Sequence, residues 1–127
     1  MENLEITATK SSPEIKFDAS NYTLSIAGES YPENTSQFYE PIYKWVDDCI
    51  DALGDKKMTM DIELIYFNSS SSKVLMDIFD TLEDASDEGK NIIVNWIYDK
   101  ENDSALEYGE EFAEDMEALT FNLVEKP

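Results

Sequence analysis

Four consecutive serines, Ser69 to Ser72, sit in the segment YFNSSSSKVLMDIFD between an apolar run ending at Phe67 and an apolar pattern that resumes at Val74. Hydroxyls at such a junction do two kinds of chemistry. A serine oxygen accepts a hydrogen bond from an unpaired backbone N–H at a helix start, which is a cap. A serine hydroxyl also accepts a phosphoryl group. At a helix N-terminus a phosphate meets free N–H groups and the positive end of the dipole, an effect of about 0.3–1 kcal/mol at an exposed site, and Lys73 adds a positive charge in the first turn. Such a phosphate brings about −1.5 to −2 charges to the surface. One or two serines suffice for a cap, and four exceed that need. On residue types alone, a capped and solvated loop and a phosphoacceptor both remain open.

Other routes to chemistry are closed or uninformative. There is no histidine, and Cys49 is the only cysteine, set among Trp45, Val46 and Ile50 where a small buried hydrophobe is expected. A lone cysteine forms no intrachain disulfide and no cysteine cluster for zinc. No G-x-S-x-G turn and no Gly-rich phosphate loop is present, so the usual nucleophile and base pairings are missing. Carboxylates abound, with 29 Asp+Glu against 9 Lys+Arg and a net charge of −20, but abundance on that scale marks no site. The same charge repels phosphate backbones and anionic headgroups, which excludes nucleic acid and the membrane surface as expected partners. DKENDSALEYGEE, Asp99 to Glu111, has a superficial likeness to a calcium loop. An EF-hand needs glycine at the sixth position, where this chain has Ser104. No metal and no cofactor is expected. GESYPEN, Gly28 to Asn34, reads as a turn fixed by Pro32 with Asn34 free to cap the next element, and Tyr31 and Glu33 on this connector are candidate contact residues.

These residues need elements to hold them. Leu4, Ile6 and Ala8, then Ile15 and Phe17, then Tyr22, Leu24 and Ile26 alternate with polar residues and predict three short strands, joined antiparallel because the turns between them are short. Phe38, Ile42, Trp45, Val46, Cys49, Ile50 and Leu53 fall at steps of three and four, a helical stripe stopped at Gly54. Pro41 belongs naturally in a first turn, so the helix proper is expected from about Tyr39 or Glu40. Met58 to Phe67 becomes nearly continuously apolar, as a strand does on entering a sheet centre. A second helix is expected from Ser71 or Ser72 to Gly89, a strand over residues 91–98, a third helix from Glu101 to about Leu119, and an edge strand over residues 121–124. Alternating strands and helices imply right-handed crossovers and parallel neighbours, all within one domain spanning residues 1–127. With no basic leader and no long apolar run, a soluble cytoplasmic protein is expected.

Several segments together resemble one family. They are Ser30-Tyr31-Pro32-Glu33-Asn34, Tyr66-Phe67-Asn68-Ser69-Ser70-Ser71 leading into Lys73-Val74-Leu75-Met76-Asp77, Val94-Asn95-Trp96-Ile97-Tyr98-Asp99, and Glu110-Glu111-Phe112-Ala113-Glu114-Asp115. The likeness is to the SiaC-like regulatory phosphoproteins and runs from about Leu4 to Val124. That family is similar in plan to STAS domains, the anti-sigma-factor-antagonist fold. The resemblance implies a single α/β STAS-like domain, with a mixed sheet, antiparallel N-terminal strands and about three packed helices. It also implies a partner switch with no enzymatic activity of its own. A dedicated Ser/Thr protein kinase would phosphorylate it and a PP2C-type phosphatase would reverse this. The unphosphorylated form would bind and activate a diguanylate cyclase, raising cyclic di-GMP and favouring aggregation or biofilm growth. The family's acceptor falls on Ser69, with Asn68, Ser70, Ser71 and Lys73, together with Tyr31 and Glu33, framing the contact surface. The rival readings are an adaptor that binds regardless of modification and a carboxylate- or metal-dependent hydrolase.

Overall fold

Alternation of apolar and polar residues sets the strands, and each helix begins where an asparagine catches a free N–H. In the computed structural model, which describes residues 1–127, the elements run β1 (Leu4–Ile6), β2 (Glu14–Asp18), β3 (Thr23–Ser30), α1 (Thr35–Leu53), β4 (Lys57–Phe67), α2 (Ser69–Asp87), β5 (Asn91–Tyr98), α3 (Asp103–Glu114) and β6 (Thr120–Glu125). One six-stranded sheet holds them in the order β1-β2-β3-β4-β5-β6. The first two pairings are antiparallel and the next three parallel, as the strand spacing and the crossovers predict.

Three successive crossovers step across the sheet in one direction, and right-handedness then puts α1, α2 and α3 on the same face. Burial agrees. Met58, Met60, Ile62 and Leu64 of β4 are buried, while Thr59, Asp61 and Glu63 between them are half-exposed. One cluster of 25 buried residues fills the space between sheet and helices. At its β5–α3 end the rings of Phe67, Phe79, Trp96 and Phe112 meet with centroids 5.1–6.5 Å apart. Opposite, the helix-free face is crossed by a polar ladder: Asn122 donates to Asn95 at 3.0 Å, and Asn95 donates to Asp61 at 2.8 Å. No helix is long and apolar enough to cross a membrane.

Three boundaries differ from the periodicity reading, each for a local reason. Helix α1 starts at Thr35, not Tyr39, because the Asn34 side chain accepts the Gln37 N–H at 3.0 Å and nucleates the turn. Pro41 therefore sits inside the helix, on its exposed side. Helix α2 starts at Ser69, two residues before the serine pattern predicts, because Asn68 is its cap. Helix α3 stops at Glu114 instead of continuing to Leu119. There the Glu83 carboxylate of α2 accepts the backbone N–H groups of Glu117, Ala118 and Leu119 at 2.9–3.1 Å, which holds that stretch as a loop.

Candidate functional site at the carboxyl edge of the sheet

The end of β4 feeds directly into α2, and a single residue makes the corner. Asn68 is extended (φ −88°, ψ 177°), and its Oδ1 accepts the Ser71 N–H at 2.9 Å while its carbonyl accepts the Ser72 N–H at 3.0 Å. Ser69 and Ser70 come next as the first two helical residues, both exposed. Their N–H groups are among those a helix start leaves without an intrahelical partner. The four serines are therefore not equivalent, and none of them is the cap.

Ser71 turns inward. Its Oγ lies 2.8 Å from Ser30 Oγ, which lies 2.7 Å from Tyr39 Oη, and all three side chains are 0% exposed. The Ser30 carbonyl also accepts the Asn68 N–H at 3.1 Å. Ser30 thus ties β3 to the corner through its backbone and to α2 and α1 through its side chain. Burial pushes the Tyr39 hydroxyl above its ordinary value, so it stays a neutral hydrogen-bonding group. A second tyrosine of α1 extends the link: Tyr43 donates to the Val74 carbonyl at 3.3 Å and to Asp77 at 3.4 Å. Burial, with the Asp77 charge beside it, raises the Tyr43 hydroxyl to about 12.

The starts of α1 and α2 lie side by side and enclose an open groove of about 1230 Å³, lined by Glu33, Ser70, Lys73 and Asp77 among others. Lys73 is exposed and takes part in none of the molecule's three ion pairs. Tyr31 lies outside this lining. It is half-buried, and its ring meets Tyr66 edge-on at 5.7 Å. The expected site residues therefore divide. Ser69, Ser70, Lys73, Glu33 and Tyr31 reach the surface, Asn68 spends its side chain on the cap, and Ser71 is a core residue. Placing Ser71 on the contact surface is a correction forced by its bond to Ser30.

Sequence reading missed Ser30 and Tyr39, although Ser30 continues the inward alternation of Leu24 and Ile26 with a hydroxyl where an apolar side chain is expected. It also placed Ile65 and Tyr66 in a buried run, yet both are exposed. No group of three or more His, Cys, Asp or Glu side chains is arranged to hold a metal ion. In the Asp99 segment, Asp99 accepts the Glu101 N–H at 2.9 Å and Asn102 caps α3, so these oxygens serve their own backbone. Cys49 is fully buried, and burial raises its thiol to about 11.

Fold and site together define a mixed α/β architecture that presents an Asn-capped, serine-led helix start at the carboxyl edge of its sheet. The chain belongs to the SiaC family: the description "SiaC family regulatory phosphoprotein" matches residues 6–126. An uncharacterized protein of Pseudomonas aeruginosa (strain UCBPP-PA14) is 39% identical over 115 residues, 91% of this chain and 90% of that one. Among solved structures, the crystal structure of diguanylate cyclase SiaD in complex with its activator SiaC from Pseudomonas aeruginosa matches with a TM-score of 0.91. There the identity is 36%, over 97% of this chain and 99% of the matched chain. The crystal structure of apo-SiaC from Pseudomonas aeruginosa matches with a TM-score of 0.85 at 33% identity, over the whole of both chains.

Proposed function

We propose that this protein is a partner-switching regulator with no enzymatic activity of its own, acting in the cytoplasm, whose unphosphorylated form binds and activates a diguanylate cyclase. Ser69 is the acceptor in this reading. A cognate Ser/Thr protein kinase adds the phosphate, a PP2C-type phosphatase removes it, and the output is cyclic di-GMP and the aggregated or biofilm state. The observation that carries the reading is the likeness, at a TM-score of 0.91, to the chain found with diguanylate cyclase SiaD. The geometry supports it locally, because Ser69 offers an exposed hydroxyl in the first turn of α2, on a chain that has no histidine to act as its base.

A phosphate on Ser69 must shed water if the surface around it is to close against a partner, and desolvating an anion is costly even where a cation meets it. Ser69→Asp is therefore expected to weaken cyclase binding by about tenfold or more, while Ser69→Ala binds like the wild type. Titration calorimetry of the three proteins against the cyclase checks this, and equal affinities overturn the switch. Phosphosite mapping after incubation with ATP and an active cognate kinase checks the acceptor. Phosphate on Ser69 is expected; phosphate on Ser70 instead would move the acceptor by one residue, and a chain free of phosphate assigns the serine run to structure alone.

A further inference from the structure

Strand β4 breaks its alternation at one point, just before the site. Gly28 pairs with Leu64 and Glu29 with Tyr66, so Ile65 has no partner in β3. Gly28 adopts φ 119°, a conformation that side chains other than glycine's rarely take, and it marks the slip. The displaced backbone is secured, because Asn102, the cap of α3, donates its Nδ2–H to the Ile65 carbonyl at 3.2 Å. A bulge of this kind re-aims side chains. Here it turns out two in succession: Ile65 is 65% exposed and Tyr66 54%, the two highest values among the large apolar side chains. Tyr31 packs edge-on against Tyr66. Neither Ile65 nor Tyr66 belongs to the core cluster, so the fold does not account for their size.

Acid adjoins the patch at Ile65 and lines the groove that begins two residues beyond Tyr31, at Glu33. The groove between the starts of α1 and α2 carries Glu33, Glu40 and Asp77 against Lys73. The recess of about 460 Å³ that includes Ile65 carries Glu63, Asp99 and Glu101 against Lys126. The groove and the recess thus each carry three carboxylates and one lysine, on a chain whose net charge is −20.

We propose that Ile65, Tyr66 and Tyr31 are the apolar anchor of the partner surface, and that the partner segment seated there carries large apolar side chains accompanied by lysine or arginine. This rests on the cyclase reading and specifies the chemistry of the partner. A second copy of this chain does not fit, because it would bring the same acidic rims face to face. The arrangement also states how a phosphate at Ser69, three residues beyond Tyr66, opposes docking. Against a basic partner it does so through the desolvation of a charge beside an apolar contact, not through repulsion.

The test is calorimetry of the full-length protein with the diguanylate cyclase of its own genome, for wild type, Ile65→Ser and Tyr66→Ala, at about 50 mM and about 300 mM NaCl. Each substitution is expected to weaken binding by about tenfold or more, with thermal midpoints unchanged because both side chains are exposed. Wild-type affinity is expected to fall as salt rises, while Ser69→Asp stays weaker than the wild type at both salt concentrations, since desolvation is not screened as repulsion is. If both variants bind like the wild type, the anchor is overturned and the cyclase reading stands. If salt leaves the affinity unchanged, the basic residues of the partner segment are overturned. Wild type that fails to bind overturns the cyclase reading and takes the anchor with it. Dimers in sedimentation that Ile65→Ser abolishes assign the patch to a second copy instead and overturn the proposal.

Discussion

At the scale of single residues, the hydroxyl trio of Ser30, Ser71 and Tyr39 decides what the serine run can do. Buried hydroxyls cost little while paired and about 1–3 kcal/mol each when left without a partner. Ser30 is the middle member, bonded to both others. Ser71→Ala leaves the Ser30–Tyr39 bond in place and is expected to cost about 1 kcal/mol. Ser30→Ala strands two hydroxyls that are 0% exposed and is expected to cost about 2 kcal/mol or more. Urea unfolding of the two variants checks the order, and an equal loss would mean that the trio does not act as a chain. The same contacts place Ser71 out of reach of any kinase, whereas Ser69 and Ser70 stay open. By residue type the four serines are indistinguishable; the bond to Ser30, 41 residues upstream, sets Ser71 apart.

At the scale of elements, asparagine starts every helix: Asn34, Asn68 and Asn102 each accept the N–H three residues on, at 3.0, 2.9 and 3.1 Å. Asn34 is legible as a cap because it comes just after a proline turn. Asn68 is hidden because serine caps nearly as well and four serines come after it. The apolar stripes of α1 and α2 are legible from spacing alone. The end of α3 is not, because Glu83, a residue of another helix, terminates it. Nor is the slip at Ile65, which depends on how β3 and β4 align and not on either strand by itself. Helix α3 also illustrates a packing demand that overrides propensity. A Cβ on Gly109 would lie 2.5 Å from Trp96 Cδ1 and 2.8 Å from Leu123 Cδ2. Trp96 is 1% exposed, and its indole N–H is committed to the Ala105 carbonyl at 2.9 Å, so it has little room to yield. Gly109→Ala gains about 1 kcal/mol of helix propensity but incurs about 1–3 kcal/mol of overpacking. A net loss of stability is expected in thermal unfolding, and a rise in the midpoint would show that α3 can shift outward at no cost.

At the scale of the whole molecule, the sheet order arises from short antiparallel turns and right-handed crossovers, which is why the architecture can be read from the order of elements. A charge of −20 then governs how that architecture responds to pH. Three carboxyl groups respond, two in one direction and one in the other. Backbone N–H groups of Leu119 and Ala118 hold the Glu83 carboxyl below its ordinary 4.5, so its contribution is present above pH 4.5 and is lost as pH falls through the lowered value. Asp18 behaves alike from 3.8, held down by Asn21 and the Ser20 N–H. Asp80 is raised above 3.8 by burial and by Asp77, Asp84, Asp115 and Glu83 around it. Its stabilising contribution is present below pH 3.8 and is lost as pH rises through the raised value, so it is absent at neutrality. Asp80→Asn should therefore raise the thermal midpoint at pH 7, less so in high salt because these charges are exposed to screening. Glu83→Gln should lower the midpoint at pH 7 and flatten its fall below pH 4.5, because one amide oxygen replaces two carboxylate oxygens that between them serve three N–H donors. Midpoints measured from pH 3 to 8 for wild type and both variants check the assignment. An acid limb as steep in Glu83→Gln as in the wild type would move the origin of the acid sensitivity away from the loop between α3 and β6.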